Sequence, residues 1–354
     1  MEITRRIDLN LGCSCNIRCR FCYYQKSVNA GKKRDLSTEQ AKRWIRFFRK
    51  AGKEEIDLTG GEPTIRRDIF ELISYCRELS YKKICVITNG IMLADKSFCD
   101  RLVESGLNDI LFSLHGPDSA IHDSLTCFEG SFDKLRQAAR NMAGTPVRMR
   151  SNTVVNGISY RHLEAITVLL KEWGMQRVNF ILFNPIVEAG SSDAEMNLKY
   201  EDAAVYLKKV VDRFKDDFEK ITIRYMPFCI MPGYEQYITN MPQLHFDPDE
   251  WDYCLRTRFR NGLFMYLAAL TLGLLAHPSK KRLFRLGWEK ARHEAIICGL
   301  NLKNKKKGPA CAACAYGLIC DGLWQEYAAH AGFGELKTVQ GKRIEEPFHF
   351  MKQR

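Results

Sequence analysis

The chain has 354 residues, 45% hydrophobic and 27% charged, a balance that excludes a largely disordered, collagenous or coiled-coil protein and suits two domains or one barrel-sized domain with an appendage. Lys and Arg outnumber Asp and Glu by 54 to 42, a formal charge of +12. The 14 cysteines are too sparse for a small disulfide scaffold, and the start MEITRRIDLN lacks the apolar stretch of a secretory signal. The expected compartment is therefore the reducing cytoplasm, where clustered cysteines bind metal or do chemistry.

From residue 5 to about 185, short β-branched or apolar runs alternate with stretches of helical period, the pattern of a parallel sheet built from βα units. The predicted strands are Arg6 to Leu11, Glu55 to Leu58, Lys83 to Ile87, Asp109 to Leu114, Val147 to Val155 and Arg177 to Phe183. Between the first two, TEQAKRWIRFFRKAG reads as an amphipathic helix with a Ser or Thr cap that ends before Gly52. Such an α/β chain makes a doubly wound sheet or a partial (β/α)6 barrel, and in both the loops at the carboxyl ends of the strands carry the chemistry. Beyond Pro185 come an acidic loop, a helix from about Tyr200 to Phe218, the strand ITIRYMPF and an irregular stretch down to Trp251. That change of rhythm sets an expected boundary near 190, giving a barrel over 1–190 and an extension over 191–354.

Within the extension, Leu263 to Ala276 is an uncharged run too short to span a bilayer. It reads as a buried helix, with membrane-surface contact or an apolar-substrate role as the alternative, because basic residues flank it on both sides. Residues 280–307 hold ten Lys or Arg against two acids. Without interleaved aromatic platforms this reads as a solvated face plus a basic loop, and nucleic acid is not the expected partner.

Directly after the first strand stands Cys15-Asn-Ile-Arg-Cys19-Arg-Phe-Cys22. Three thiolates at spacings of four and three fit an iron–sulfur cube and leave one iron without a protein ligand. Structural zinc is the alternative, but it takes four ligands, and Cys13 would make an awkward fourth.

This motif, with Phe21 before the last cysteine, resembles the cluster motif of the radical S-adenosylmethionine (radical SAM) superfamily. The resemblance implies a 4Fe-4S cluster that binds S-adenosylmethionine at its open iron and, when reduced, cleaves it to a 5′-deoxyadenosyl radical. Thr59-Gly60-Gly61-Glu62-Pro63, after the second strand, resembles the GGEP motif that holds the cofactor's amino group. There Gly60 and Gly61 would admit close backbone approach and Glu62 would supply an anion. By the same resemblance Phe21, Pro63, Asn89, Ser113, His115 and Asn152 are expected cofactor contacts. Arg150 and Asn152 share a strand face, so a single parity can point inward. The family's usual segment before Ser131-Phe132 is replaced by Leu125-Thr126-Cys127-Phe128, which leaves the carboxylate partner open. Cys76, Cys85, Cys99 and Cys127 read as small core residues.

A second group, Cys311-x2-Cys314-x5-Cys320 followed by Asp321 and Gly322, resembles part of the SPASM or twitch extensions, which hold auxiliary iron–sulfur clusters. A complete pattern has a cysteine where this chain has Trp324, so one auxiliary 4Fe-4S cluster is expected, at about 229–330. Its fourth ligand is Cys229, Cys254, Cys298 or an open site, with Cys229 favoured because it ends ITIRYMPF. The implied activity is hydrogen-atom abstraction from a peptide or small metabolite, with flavodoxin or ferredoxin as electron donor. The rival is an iron–sulfur regulator or nucleic-acid scaffold without catalysis, which has no need of an open-iron motif together with GGEP.

Overall fold

The computed structural model describes residues 2–23, 35–185 and 193–353. Its first part runs β1 (Arg6–Asn10), α1 (Thr38–Lys50), β2 (Glu55–Thr59), α2 (Ile69–Glu78), β3 (Lys83–Thr88), α3 (Lys96–Ser105), β4 (Asp109–Ser113), α4 (Ser119–Thr126), α5 (Ser131–Met142), β5 (Arg148–Val155), α6 (Leu163–Glu172), β6 (Arg177–Leu182), α7 (Tyr200–Phe214), β7 (Lys220–Arg224) and β8 (Ile238–Thr239). The eight strands lie in sequence order, each parallel to the next. Each of the six predicted strands ends within a residue of an observed one. Two short strands extend the same sheet past residue 190: β7 is the first part of ITIRYMPF, and β8 was not expected. Helix α7 stops at Phe214, short of the expected Phe218.

The sheet curls. Arg6 on β1 reaches Asp109 on β4 at 3.2 Å, whereas three strand spacings of a flat sheet would separate them by roughly 14 Å. The outer face is apolar: Ile7, Leu9, Ile56, Leu58, Ile110 and Phe112 pack with Ile45, Phe48, Leu72 and Leu135 of the helices, all fully buried. Each such side chain contributes about 1.5–3 kcal/mol on burial. Helix α1 opens with a capping box, in which the Gln40 N–H donates to Ser37 Oγ (3.2 Å) and the Ser37 N–H to Gln40 Oε1 (2.9 Å).

The concave face is polar. Arg6 donates to Asp57, Arg150 donates to Asp109 at 2.8 Å, and Arg150 also lies 3.2 Å from the Cys85 sulfur. Arginines and aspartates pair here because an unpaired charge at this depth would cost several kcal/mol.

The second part comprises α8 (Met241–Leu244), α9 (Tyr253–Ala276), α10 (Lys280–Arg285), α11 (Trp288–Asn304), the antiparallel pair β9 (Lys305–Lys306) and β10 (Leu323–Trp324), and α12 (Gln325–Ala331). Between α8 and α9 the chain runs along the free edge of β1. The Thr4 N–H donates to the His245 carbonyl, the Asp252 N–H to the Arg6 carbonyl, and Trp251 bridges Arg6 in parallel. This strap enters the polar interior. Asp247 pairs with Lys220 at 2.5 Å, Asp249 with Arg148 at 3.0 Å, Glu250 with Arg224, and Arg256 with Asp8 at 2.9 Å. Trp251 Nε1 donates to Asp57 at 2.8 Å.

The run 263–276 is a helix, as expected, but not a buried one. Helix α9 is broken at Gly262, where φ is +79°, and beyond the break Leu263, Phe264, Leu267, Leu272 and Leu275 are exposed while Ala269 and Gly273 are buried. It packs along α11 through small residues, which leaves most of its circumference uncovered.

Candidate active site at the carboxyl ends of the strands

The loop after β1 is built on glycine. Gly12 has φ +149°, and a Cβ there would meet Asp35 Oδ1 at 2.0 Å. Asp35 in turn accepts from the Cys13 N–H (2.8 Å) and the Ser14 N–H (3.1 Å). Farther along, the N–H groups of Arg18 and Arg20 donate to the carbonyls of Thr126 and Leu125. The segment 125–128, whose side chains depart from the family's pattern, thus holds the loop by backbone bonds that no side chain supplies. Cys127 is a correction: it is exposed at φ 53° and lines the cavity, because it ends α4 in a left-handed turn. Cys76, Cys85 and Cys99 are buried as expected.

Gly60 and Gly61 bring the turn after β2 against the cysteine loop. The Gly61 N–H donates to the Gly12 carbonyl (3.0 Å) and the Glu62 N–H to the Ser14 carbonyl (2.8 Å). A Cβ on Gly60 would lie 2.5 Å from the Gly12 oxygen, and one on Gly61 would lie 2.0 Å from the Ser14 oxygen. The glycines therefore let the β2 turn dock on the backbone of the cysteine loop. Pro63 starts a single turn, Pro63–Ile65, and is buried.

Glu62 is buried and accepts four hydrogen bonds. At Oε1 they come from the Thr64 N–H (3.0 Å), the Thr64 hydroxyl (2.6 Å) and the Thr88 hydroxyl (2.8 Å). At Oε2 the donor is the Asn89 N–H, 2.7 Å away. Burial pushes its carboxyl above the usual range and these donors pull it back in part. Asn89 Nδ2 donates to Asn16 Oδ1 at 2.8 Å, so β3 touches the cysteine loop directly.

His115 is buried, its ring 4.4 Å from that of Phe21 in edge-to-face contact. Its Nδ1 accepts from the Val154 N–H at 3.2 Å, which assigns the proton to Nε2. Burial and the neighbouring His122 hold the ring well below the usual histidine range, so it is neutral. Asn152 accepts from Asn179 at 3.0 Å. Both Arg150 and Asn152 face the interior, Arg150 with the deep charges and Asn152 nearer the mouth.

The expected cofactor contacts other than Pro63, together with the three loop cysteines, line one cavity of about 1250 Å³: Cys15, Cys19, Cys22, Phe21, Gly60, Gly61, Glu62, Asn89, Ser113, His115 and Asn152. Burial pushes the Cys15 thiol up to about 11, with Glu62 and Cys22 adding repulsion, and pushes Cys19 higher still. Three thiols so placed become thiolates readily when a bound cation compensates the charge. Three donors on one short loop fit a cubane that takes three protein thiolates.

The opposite wall was not legible in the sequence. It includes Arg224, Tyr225, Trp251, Tyr253, Arg256 and Trp324. Tyr225 holds φ +68°, an uncommon backbone for a bulky residue. Trp324, where a complete SPASM pattern has cysteine, packs on Tyr225 at 5.0 Å and carries Lys305 over its ring at 3.6 Å. Its Nε1 and Asn184 Oδ1, both buried, have no hydrogen-bond partner among the described residues.

None of Cys229, Cys254, Cys298, Cys311, Cys314 and Cys320 lines that cavity. Cys229 sits in a turn, Phe228–Ile230, after β7 instead of ending a strand. Its thiol is raised by burial and then by the charges of Cys311 and Cys314, while Cys320 is pushed up to about 12 by burial with a further contribution from Cys229. Mutual perturbation of this kind requires proximity. The Lys337 N–H approaches Cys229 Sγ and the Gly322 N–H approaches Cys320 Sγ, each at 3.5 Å. Cys254 and Cys298 have other surroundings. Cys254 is raised by burial beside Asp252 and His293, and Cys298 by burial near Lys307. Asp252 is already engaged by Lys53 at 2.6 Å.

A comparison with family models matches residues 9–170 to the Radical SAM superfamily. The chain is 29% identical over 213 residues to an Fe-coproporphyrin III synthase of Methanosarcina barkeri, matching 60% of this chain and 52% of that protein. It is 27% identical over 202 residues to a probable GTP 3′,8-cyclase of Sulfurisphaera tokodaii, 57% of this chain and 63% of that one. The chain thus spans roughly half to two thirds of the length of these relatives. Streptococcus suis SuiB shares the fold over 97% of this chain and 78% of its own, with TM-score 0.56 and 16% identity. So does anSMEcpe with bound AdoMet and Kp18Cys peptide, over 62% of this chain and 63% of its own, with TM-score 0.51 and 24% identity. The matched stretch runs from the end of β1 through β5 and includes the loop that carries Cys15, Cys19 and Cys22.

Proposed function

We propose that the protein is a radical SAM enzyme that abstracts a hydrogen atom from a peptide or small metabolite, assisted by an auxiliary 4Fe-4S cluster. The observation that carries this reading is the docking of the Gly60–Glu62 turn and Asn89 onto the three-cysteine loop at the mouth of the barrel. When bound, the cluster and S-adenosylmethionine supply one-electron cleavage to a 5′-deoxyadenosyl radical.

The chain's own part is to bind and orient. Cys15, Cys19 and Cys22 would hold the cluster, three thiolates for a group whose remaining iron would be free to take the cofactor. Glu62 Oε2, with a single donor, keeps acceptor capacity for an ammonium. Neutral His115 keeps an N–H on Nε2 while Phe21 fixes its ring. At about 1250 Å³ the cavity exceeds the roughly 300–1,000 Å³ of a single small-ligand site, which leaves room for a substrate beside the cofactor. Trp324 Nε1 and Asn184 Oδ1 offer that substrate one donor and one acceptor. Cys229, Cys311, Cys314 and Cys320 would hold the auxiliary cluster. The two relatives are named for different reactions, and anSMEcpe holds a peptide, so the substrate class proposed is broad.

The test is anaerobic reconstitution followed by reduction with S-adenosylmethionine present. Slow release of 5′-deoxyadenosine and methionine without substrate is the expected result, and replacement of Cys15, Cys19 and Cys22 by Ala should abolish it. A reconstituted, reduced protein that never yields 5′-deoxyadenosine sinks the reading.

A further inference from the structure

Helices α9, α10 and α11 project a surface that the proposed chemistry does not use. From Tyr253 to Trp288 the sequence holds seven Lys or Arg and no Asp or Glu. Helix α9 reaches a mean hydropathy of 1.4 over its most apolar 18 residues, yet 17% of that window is buried. A core helix of that composition would be mostly covered.

The reason is visible in its packing. Ala269 and Gly273 lie against Ala295 and Gly299 of α11, where a Cβ on Gly273 would meet the Ala295 carbonyl oxygen at 1.6 Å and one on Gly299 the Ala269 oxygen at 2.0 Å. The two helices touch along these small residues. On the opposite side of α9, Phe264, Leu267, Thr271 and Leu275 recur at helical spacing and are exposed, Phe264 at 80%. At the far end of the hairpin Phe284 is 89% and Trp288 66% exposed. Lys281, one turn from Phe284, and Arg285 beside it are also exposed, with no ion pair among the described residues.

We propose that this hairpin docks the protein on an anionic phospholipid surface, with the outer face of α9 and Phe284 entering the headgroup–acyl boundary. Three observations select lipid over another occupant. The apolar face is the outer side of a single helix, opposite its contact with α11. A tryptophan and cations rim it, as at a bilayer interface, where the indole is half in hydrocarbon and the cations meet lipid phosphates. Across 36 residues every formal charge is positive, so a second copy of this surface would repel the first. The helix is not read as spanning: Gly262 breaks it, and its first turns belong to the strap in the barrel.

The experiment is co-sedimentation of the reconstituted full chain with vesicles of phosphatidylcholine alone or mixed with phosphatidylglycerol. Pelleting with the anionic vesicles, weakened by salt, is expected. Lys281→Ala with Arg285→Ala should lower the partition coefficient about 30-fold, at the usual contribution of each basic residue near an anionic surface. Phe264→Asp with Phe284→Asp should abolish pelleting, and because both rings are exposed, the circular dichroism spectrum and the iron content should not change. The proposal is overturned if no vesicle pellets the protein, if the Asp variant pellets like the parent, or if those substitutions instead dissolve a dimer that shows no vesicle binding.

Discussion

The side-chain amide of Asn89, at the end of β3, donates a hydrogen bond of 2.8 Å to the side-chain carbonyl of Asn16, between the first two cysteines of the cluster loop. With Glu62 holding the Asn89 backbone at 2.7 Å, the bond makes three consecutive strand ends one rigid seat. Loss of any piece should loosen the cofactor before it loosens the fold.

Glu62→Ala should accordingly do more than remove a charge near the cofactor's ammonium. It strands the Asn89 N–H and the Thr64 and Thr88 donors, each bond to the carboxylate contributing about 1.5–3 kcal/mol. 5′-Deoxyadenosine formation is expected to fall more than about 100-fold, with partial rescue in Glu62→Gln, which keeps one acceptor oxygen. Asn89→Ala, losing a neutral bond of roughly 1 kcal/mol, should cost about fivefold. Product chromatography separates these outcomes, and equal effects from the three variants would contradict the seat.

For the auxiliary site, iron analysis decides. Two cubanes predict about eight iron atoms per chain, and the Cys15, Cys19, Cys22 triple Ala variant about four. Cys229→Ala should perturb the remaining spectrum, whereas Cys254→Ala and Cys298→Ala should not. An unaltered auxiliary spectrum in the Cys229 variant would move the fourth ligand elsewhere.

Trp324→Phe keeps the ring under Lys305 and deletes the unpartnered N–H. Uncoupled cleavage of S-adenosylmethionine should be unchanged, while KM for the true substrate rises by about five- to tenfold, the loss of one hydrogen bond. A variant with parental KM would remove Nε1 from substrate contact.

Acid stability should follow Asp109. Burial would raise its carboxyl, but Arg150 and Arg6 outweigh burial and hold it below the usual value. A depressed folded value stabilises the fold fully above the unfolded carboxylate value of about 4 and is lost as pH falls below it. Asp109→Asn, which leaves buried arginines short of a partner, should cost about 3–5 kcal/mol near neutrality and flatten the denaturation midpoint's dependence on pH below about 4. A steep acid slope retained in the variant would assign that dependence to other carboxylates.

Local signals sufficed for β1 to β6, since βα repeats write their period into nearby residues, and for the loops at their ends, whose cysteines and glycines are close in sequence. The strap was illegible for the opposite reason. Trp251 finds Asp57, Arg256 finds Asp8 and Asp249 finds Arg148, partnerships spanning a hundred residues or more that leave no periodic trace. The same blindness affected α9: composition reported an apolar helix, but burial depends on what the rest of the chain offers it, and the offer was a line of small residues on α11.

The strap also bears on heredity. A chimaera that kept residues 1–190 and took a foreign second half would inherit the buried Asp8 without Arg256, Arg148 without Asp249, and Asp57 without the Trp251 N–H. Recombination at the apparent joint is therefore penalised, and drift in the strap's acids must be answered by drift in the barrel's cations. Sequence change in the two halves should be correlated at these pairs, so the substrate-side wall evolves at the pace the barrel's interior permits.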